Sequence, residues 1–144
     1  MSSESGRVDR TLLRVRYAET DQMGRAHHMQ YLAWFELGRT ELMRNAGVAY
    51  SELEREGIML PVANADLEYV GAAPYDALVA IETRVSDVRS RAVTFSYRAT
   101  LADTSELLAA GSTRLICTDS SGKAKRFPGH LLDVLLELRG DPDA

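Results

Sequence analysis

Between residues 30 and 46 the apolar side chains fall in a single helical stripe, and no other stretch constrains the fold as much. Tyr31, Trp34, Phe35, Gly38 and Leu42 recur at i, i+3, i+4, i+7 and i+11, the spacing of one helix face. Asn45-Ala46-Gly47 ends the pattern. A mid-helix glycine costs roughly 1 kcal/mol against alanine. On the stripe, Gly38 is therefore expected to allow close approach to another backbone.

Beyond Gly57 the period changes from 3.6 to 2. Val79, Ile81 and Val85 face one way, and Glu82, Arg84 and Ser86 the other. Val93, Phe95, Tyr97, Ala99 and Leu101 alternate with Thr94, Ser96, Arg98 and Thr100. Both stretches read as half-exposed antiparallel strands joined by a turn over 87–91. A strand over 59–70 carries Pro61, which confines it to a sheet edge or a strand start. A further strand over 106–119 has Gly111 as an expected bulge. Upstream, Thr11–Tyr17 reads as a strand and residues 1–10 as a frayed polar tail. Ser51–Gly57 reads as a short helix, with Ser51 as cap, Glu54 completing a capping box and Gly57 as the stop. Residues 129–139 form a last helix with Leu131, Val134, Leu135 and Leu138 on one face. One striped helix followed by a run of strands is an α+β order. The 144 residues make a single domain in which a sheet wraps a long helix.

Composition removes several functional classes. A net charge of −4 argues against a nucleic-acid partner. No apolar run approaches the ~20 residues of a membrane helix, and the start has no apolar signal core. The single cysteine, Cys117, allows no internal disulfide. The expectation is a cytoplasmic protein.

The chemistry concentrates in TDQMGRAHHMQYLAWFE, residues 20–36. Three readings compete. A metal site would use Asp21, His27 and His28, but adjacent histidines diverge on regular backbone, and helical metal pairs prefer i, i+4. A polar loop with satisfied histidines is the plain alternative. The third reading is a catalytic carboxylate. The loop enters a helix N-terminus, whose unpaired N–H groups and dipole stabilise negative charge, so Asp21 beside it makes half of an acyl-transfer site.

The segment RVRYAETDQMGRAHHMQYLAWFELGRTELMR resembles the hotdog-fold acyl-CoA thioesterases of the 4-hydroxybenzoyl-CoA thioesterase type. The shared positions are Tyr17, Thr20-Asp21, Gly24, His28, Tyr31, Phe35-Glu36 and Arg39, and the likeness runs from about Leu12 to Thr118. It implies a hotdog fold, a dimer or tetramer with sites between subunits, and hydrolysis of an acyl-CoA or acyl carrier protein thioester without a cofactor or metal. It makes Asp21 the nucleophile or general base. His28 supplies the backbone N–H that polarises the carbonyl, and its ring is a candidate for orienting Asp21 or a water, or simply packs at an interface. Gly24 lets the backbone approach the thioester. Tyr31 is placed with the substrate contacts by resemblance, although its position on the stripe favours packing. Ser90 and Arg91 are the CoA contacts, and Arg89, Lys123, Lys125 and Arg126 are either further charges for the phosphates or, the reading favoured for each, plain solvated surface charges. Glu36 pairs with Arg39 on the helix surface, and is a minor rival to Asp21 because another hotdog subgroup uses a helix carboxylate.

Two departures stand out. Arg25-Ala26 replace the two aliphatic residues usual after the motif glycine, which points either to a polar acyl group or to an Arg25 turned to solvent. Ala72 stands where the family usually has proline, with Pro74 two residues later. The rival activities are a hotdog hydratase or dehydratase, whose Asp-x4-His arrangement this chain lacks, and a non-catalytic acyl-CoA binding module.

Overall fold

The computed structural model describes residues 6–140. The elements, in chain order, are β1 (Asp9–Arg14), α1 (Gln30–Asn45), α2 (Tyr50–Arg55), β2 (Val62–Tyr69), β3 (Leu78–Val88), β4 (Ala92–Leu101), β5 (Leu107–Ile116) and α3 (Gly129–Arg139). The strands form one antiparallel sheet in the order β1-β3-β4-β5-β2. Bulges between Val85 and Asp87 and between Ala99 and Thr100 bend the central strands. This is the α+β hotdog architecture expected from the stripe-then-strands order.

Helix α1 lies against β1, β3 and β4. Every residue of its expected stripe is buried, and so are Arg39 and Met43. A Cβ on Gly38 would stand 2.5 Å from Thr83 Oγ1 and 2.8 Å from Ile81 Cγ2. The glycine thus allows a close approach, but to the side-chain row of β3 rather than to backbone. Helix α3 packs on β3 and closes the core with Leu131, Leu135 and Leu138, while Val134 is only half-buried.

Several boundaries move. Asp9 and Arg10, expected in the tail, pair with Thr83 and Glu82 of β3; residues 1–5 of that tail lie outside the described residues. The strand stops at Arg14, and Tyr17–Glu19 form a 3-10 turn. Ser51 is no cap: α2 starts one residue earlier after Ala49, with no side-chain cap, and Tyr50 packs half-buried against the core. Gly57, at φ +81°, ends the turn as expected. Gly111 is no bulge. It stays in register between Leu67 and Tyr97, and its missing Cβ is needed because one would stand 2.3 Å from the Asp66 carbonyl oxygen. Pro61 immediately precedes β2, an edge strand bonded on one side only.

Candidate active site

The Asp21 loop is an antiparallel lariat closed by bridges Thr20↔Ala26 and Arg25↔Pro74. Asp21 N–H donates to the Arg25 carbonyl at 2.7 Å, and Gly24 N–H to the Asp21 carbonyl at 3.1 Å. Gly24 sits at φ +76°, the left-handed region that this tight turn demands. The turn orients the carboxylate. Asp21 Oδ1 accepts the Met23 N–H at 2.8 Å and the Arg25 N–H at 3.4 Å. Oδ2 accepts from no protein donor among the described residues. One oxygen is therefore an anchor and the other is open. The 72–75 segment, where Ala72 stands in place of the usual proline, backs the loop: Ala26 N–H donates to the Ala73 carbonyl and Tyr75 N–H to the Gly24 carbonyl. Arg25 is exposed, with its guanidinium against the Met23 sulfur at 3.3 Å.

The loop then delivers the chain to α1. His27 N–H donates to the Glu19 carbonyl, and the His27 carbonyl receives the Gln30 N–H. His27 Nδ1 accepts the Met29 N–H at 3.2 Å just ahead of α1, whose start carries no side-chain cap. The two imidazoles do not diverge, because the backbone here is not regular; they stack at 4.3 Å. Among the described residues the His28 N–H donates to no protein acceptor, whereas its carbonyl is held by the Tyr69 hydroxyl at 3.1 Å. No group of three or more His, Cys, Asp and Glu side chains among the described residues is placed to hold a metal ion.

Behind the loop lies a carboxylate the sequence reading missed. Glu19 is 7% exposed. It accepts the Arg16 N–H at 2.8 Å, the Trp34 indole N–H at 3.1 Å and the Arg16 guanidinium at 3.4 Å. Burial alone would raise its pKa, but these bonds hold it below the ordinary carboxylate range. The available signal was Trp34: an indole on a buried stripe needs an acceptor for its N–H.

Tyr31 is buried, its ring edge-on to Trp34 and Tyr69, and burial raises its phenol pKa. Packing is the role this geometry gives it. The surface pair Glu36–Arg39 does not form. Position 39 falls on the buried side of α1, and the guanidinium, in a residue 8% exposed, donates to the Tyr97 hydroxyl at 3.3 Å. Glu36 stays exposed and lines a groove of about 390 Å³ between α1 and β2, with Leu32, Ala33, Arg39, Val62, Ala65 and Thr113.

Ser90 and Arg91 lie in the β3–β4 turn, next to 123–127. The Ser90 carbonyl receives the Phe127 N–H and the Arg91 carbonyl the Cys117 N–H. The turn thus neighbours Lys125 and Arg126, while Arg89 is paired with Asp87 at 3.0 Å. The Asp21 loop, in contrast, is tied to the other end of β3, where Val15 N–H donates to the Ala77 carbonyl and Asp76 N–H to the Val15 carbonyl. Eleven residues of β3 separate the two regions, about 33 Å of strand. One chain does not bring Asp21 and Arg91 together.

The model of the thioesterase-like superfamily matches residues 15–135. The chain belongs to the thioesterase-like superfamily. Among relatives in that superfamily, the Haemophilus influenzae acyl-CoA thioesterase YbgC is 32% identical over 114 residues, covering 78% of this chain and 82% of that one. Bacillus subtilis YneP is 36% identical over 90 residues, which span 62% of this chain and 65% of its own length. Among solved structures, the DHNA-CoA thioesterase from Staphylococcus aureus is 32% identical, with a TM-score of 0.79 over 83% of this chain and 80% of that one. Hypothetical protein TT1821 from Thermus thermophilus is 35% identical, with a TM-score of 0.83 over 90% and 95%. The chain is a thioester hydrolase of this superfamily.

Proposed function

We propose that the chain hydrolyses an acyl-CoA to the free acid and CoA, with Asp21 as nucleophile or general base and the His28 N–H polarising the thioester carbonyl. The observation that carries this reading is the pair of open groups: a carboxylate fixed through Oδ1 with Oδ2 unengaged, and an unpaired N–H at the start of α1. Thioester hydrolysis needs both: an oxygen to attack the carbon or activate water, and a donor for the oxygen that gains charge. The helix dipole adds to the second. The groove between α1 and β2 begins one turn beyond His28 and offers apolar Leu32, Ala33, Val62 and Ala65 to an acyl chain.

The reading requires two subunits. Every β2 residue except Leu67 is exposed, with Val62 at 47% and Tyr69 at 46%, and the facing side of α1 exposes Leu32 and Leu37. Two β2 edges paired antiparallel cover this surface. They also exchange ends. Val62 pairs with Leu115, which pairs with Val93 beside the Arg91 turn, whereas Tyr69 touches His28. Antiparallel pairing thus brings the partner's Arg91 region toward this subunit's His28, where Ser90 and Arg91 bind CoA.

A thiol-release assay over short-chain, long-chain and aromatic acyl-CoAs, with acyl carrier protein thioesters in parallel, tests the reading. The expected result is turnover of at least one acyl-CoA, with Asp21→Asn lowering kcat by roughly 10²–10⁴ at unchanged binding. Wild-type-like turnover in Asp21→Asn, with loss in Glu36→Gln, would assign the chemistry to the helix carboxylate. Single turnover in ¹⁸O-water tests for a nucleophile: unlabelled oxygen from Asp21 in the first product requires an anhydride between Asp21 and the acyl group that water opens at the Asp21 carboxyl carbon.

A further inference from the structure

We infer that Glu19 is a positioning residue, an ionised carboxylate that fixes the Asp21 loop to α1 and so sets the relation between the Asp21 carboxylate and the His28 N–H; this rests on the function proposed above. The two reacting groups sit on different pieces of backbone. Asp21 belongs to the lariat, which is held to the 73–75 segment by backbone bonds. The His28 N–H belongs to the start of α1. A fixed distance between them requires a tie from lariat to helix.

Glu19 makes that tie through three of its groups. Its N–H donates to the Arg16 carbonyl at 2.9 Å, which fixes the incoming chain. Its carbonyl receives the His27 N–H at 2.8 Å, which fixes the outgoing arm one residue before the catalytic amide. Its carboxylate reaches past the loop to Trp34, one turn inside α1, at 3.1 Å. Among the described residues this is the one side-chain hydrogen bond between residues 17–29 and the body of α1. Glu19 is two residues from Asp21, and Trp34 is anchored on the same face as Tyr31 and Phe35. Movement of the lariat away from the helix therefore breaks a buried, charge-assisted bond.

The chemistry of the carboxylate also matters. Two donors, the Arg16 N–H and the Trp34 N–H, point at separate oxygens, Oε1 and Oε2. A carboxylate accepts on both. Glutamine accepts on one and presents an NH₂ to the other donor. Glu19→Gln therefore keeps the shape and loses half of the tie. Catalysis is sensitive to such a loss, because a misplacement of about 1 Å between reacting groups can cost roughly 10²-fold.

The test compares wild type, Glu19→Gln, Trp34→Phe and the double variant. Trp34 is the single tryptophan of the chain, so its indole N–H resonance and emission report the tie directly. The expected result is a shifted indole resonance and faster amide exchange at His27 in Glu19→Gln, with sheet amides unchanged. Turnover of the acyl-CoA found in the panel above should fall roughly 10- to 100-fold in kcat, with KM within a few-fold. Trp34→Phe should lower kcat less, and the double variant should match Glu19→Gln rather than the product of the two. An unshifted indole and wild-type His27 exchange in folded Glu19→Gln would overturn the inference. So would a kcat loss no larger than the loss of folded protein. If the wild type turns over no acyl-CoA, the proposed activity fails, while the resonance and exchange data still decide whether the tie exists.

Discussion

Asp21 and Glu19 are two carboxylates two residues apart with opposite surroundings. Asp21 keeps one oxygen open, and Glu19 has both oxygens engaged, one by the Arg16 N–H and the other by the buried Trp34 indole. The depressed pKa of Glu19 has a defined sign in stability. A carboxyl whose folded pKa lies below its unfolded value stabilises the fold above the unfolded pKa and ceases to as pH falls through the folded one. The melting-temperature gap between wild type and Glu19→Gln should therefore be widest near neutrality and close as pH drops below about 4; thermal melts at a series of pH values check it. His28→Ala belongs at this scale too. Alanine retains the backbone N–H, so kcat should fall less than in Asp21→Asn, by roughly tenfold or less. Assays of the two variants side by side give the order. Motif and spacing singled out Asp21, Gly24 and His28, which lie together in the loop that leads into α1. Glu19 was not singled out, because its role is fixed by a partner fifteen residues away on another element, and nothing local distinguishes it from a loop carboxylate.

Among the elements, α1 is the one on which fold and site both depend. Its stripe was readable because period 3.6 records burial directly. Arg39 was misread because a charge suggested the surface although position 39 lies on the buried face, where the Tyr97 hydroxyl on β4 accepts from its guanidinium. Gly111 was misread because close approach and a bulge both call for glycine, and the sequence does not name the neighbour. Gly38 gives a prediction. Alanine at this position gains roughly 1 kcal/mol of helix propensity, but its methyl meets the stiff β-branched Thr83 and Ile81 on β3. Overpacking of this kind costs about 1–3 kcal/mol, so Gly38→Ala should be less stable in denaturant titrations. The relief available is a tilt of α1, and His28 lies ten residues from the contact, about 15 Å along the axis. The variant should lose kcat as well as stability, which steady-state kinetics on the folded fraction will show.

For the whole molecule, about 33 Å of strand lies between the Asp21 loop and the Arg91 turn, so the function proposed above draws the two halves of its site from two chains. Subunit mixing tests this. Asp21→Asn and Arg91→Glu homodimers should each be impaired, the first in kcat and the second in KM for CoA esters. Co-refolded mixtures should regain about a quarter of wild-type sites, because a mixed dimer rebuilds one intact site of its two. No recovery in a verified mixed dimer would place both residues' effects within one chain. Light scattering at micromolar concentration should give a dimer or tetramer. The sequence carried this scale only through resemblance, since an edge strand reads alike whether solvent or a second copy covers it. The exposed β2 edge has a further consequence in mass action. On the two-subunit reading proposed above, each halving of protein concentration near the dissociation constant releases chains that hold half a site, so turnover per chain should fall on dilution. An assay run at the lowest detectable enzyme concentration would then record a weaker catalyst than the one present in concentrated solution.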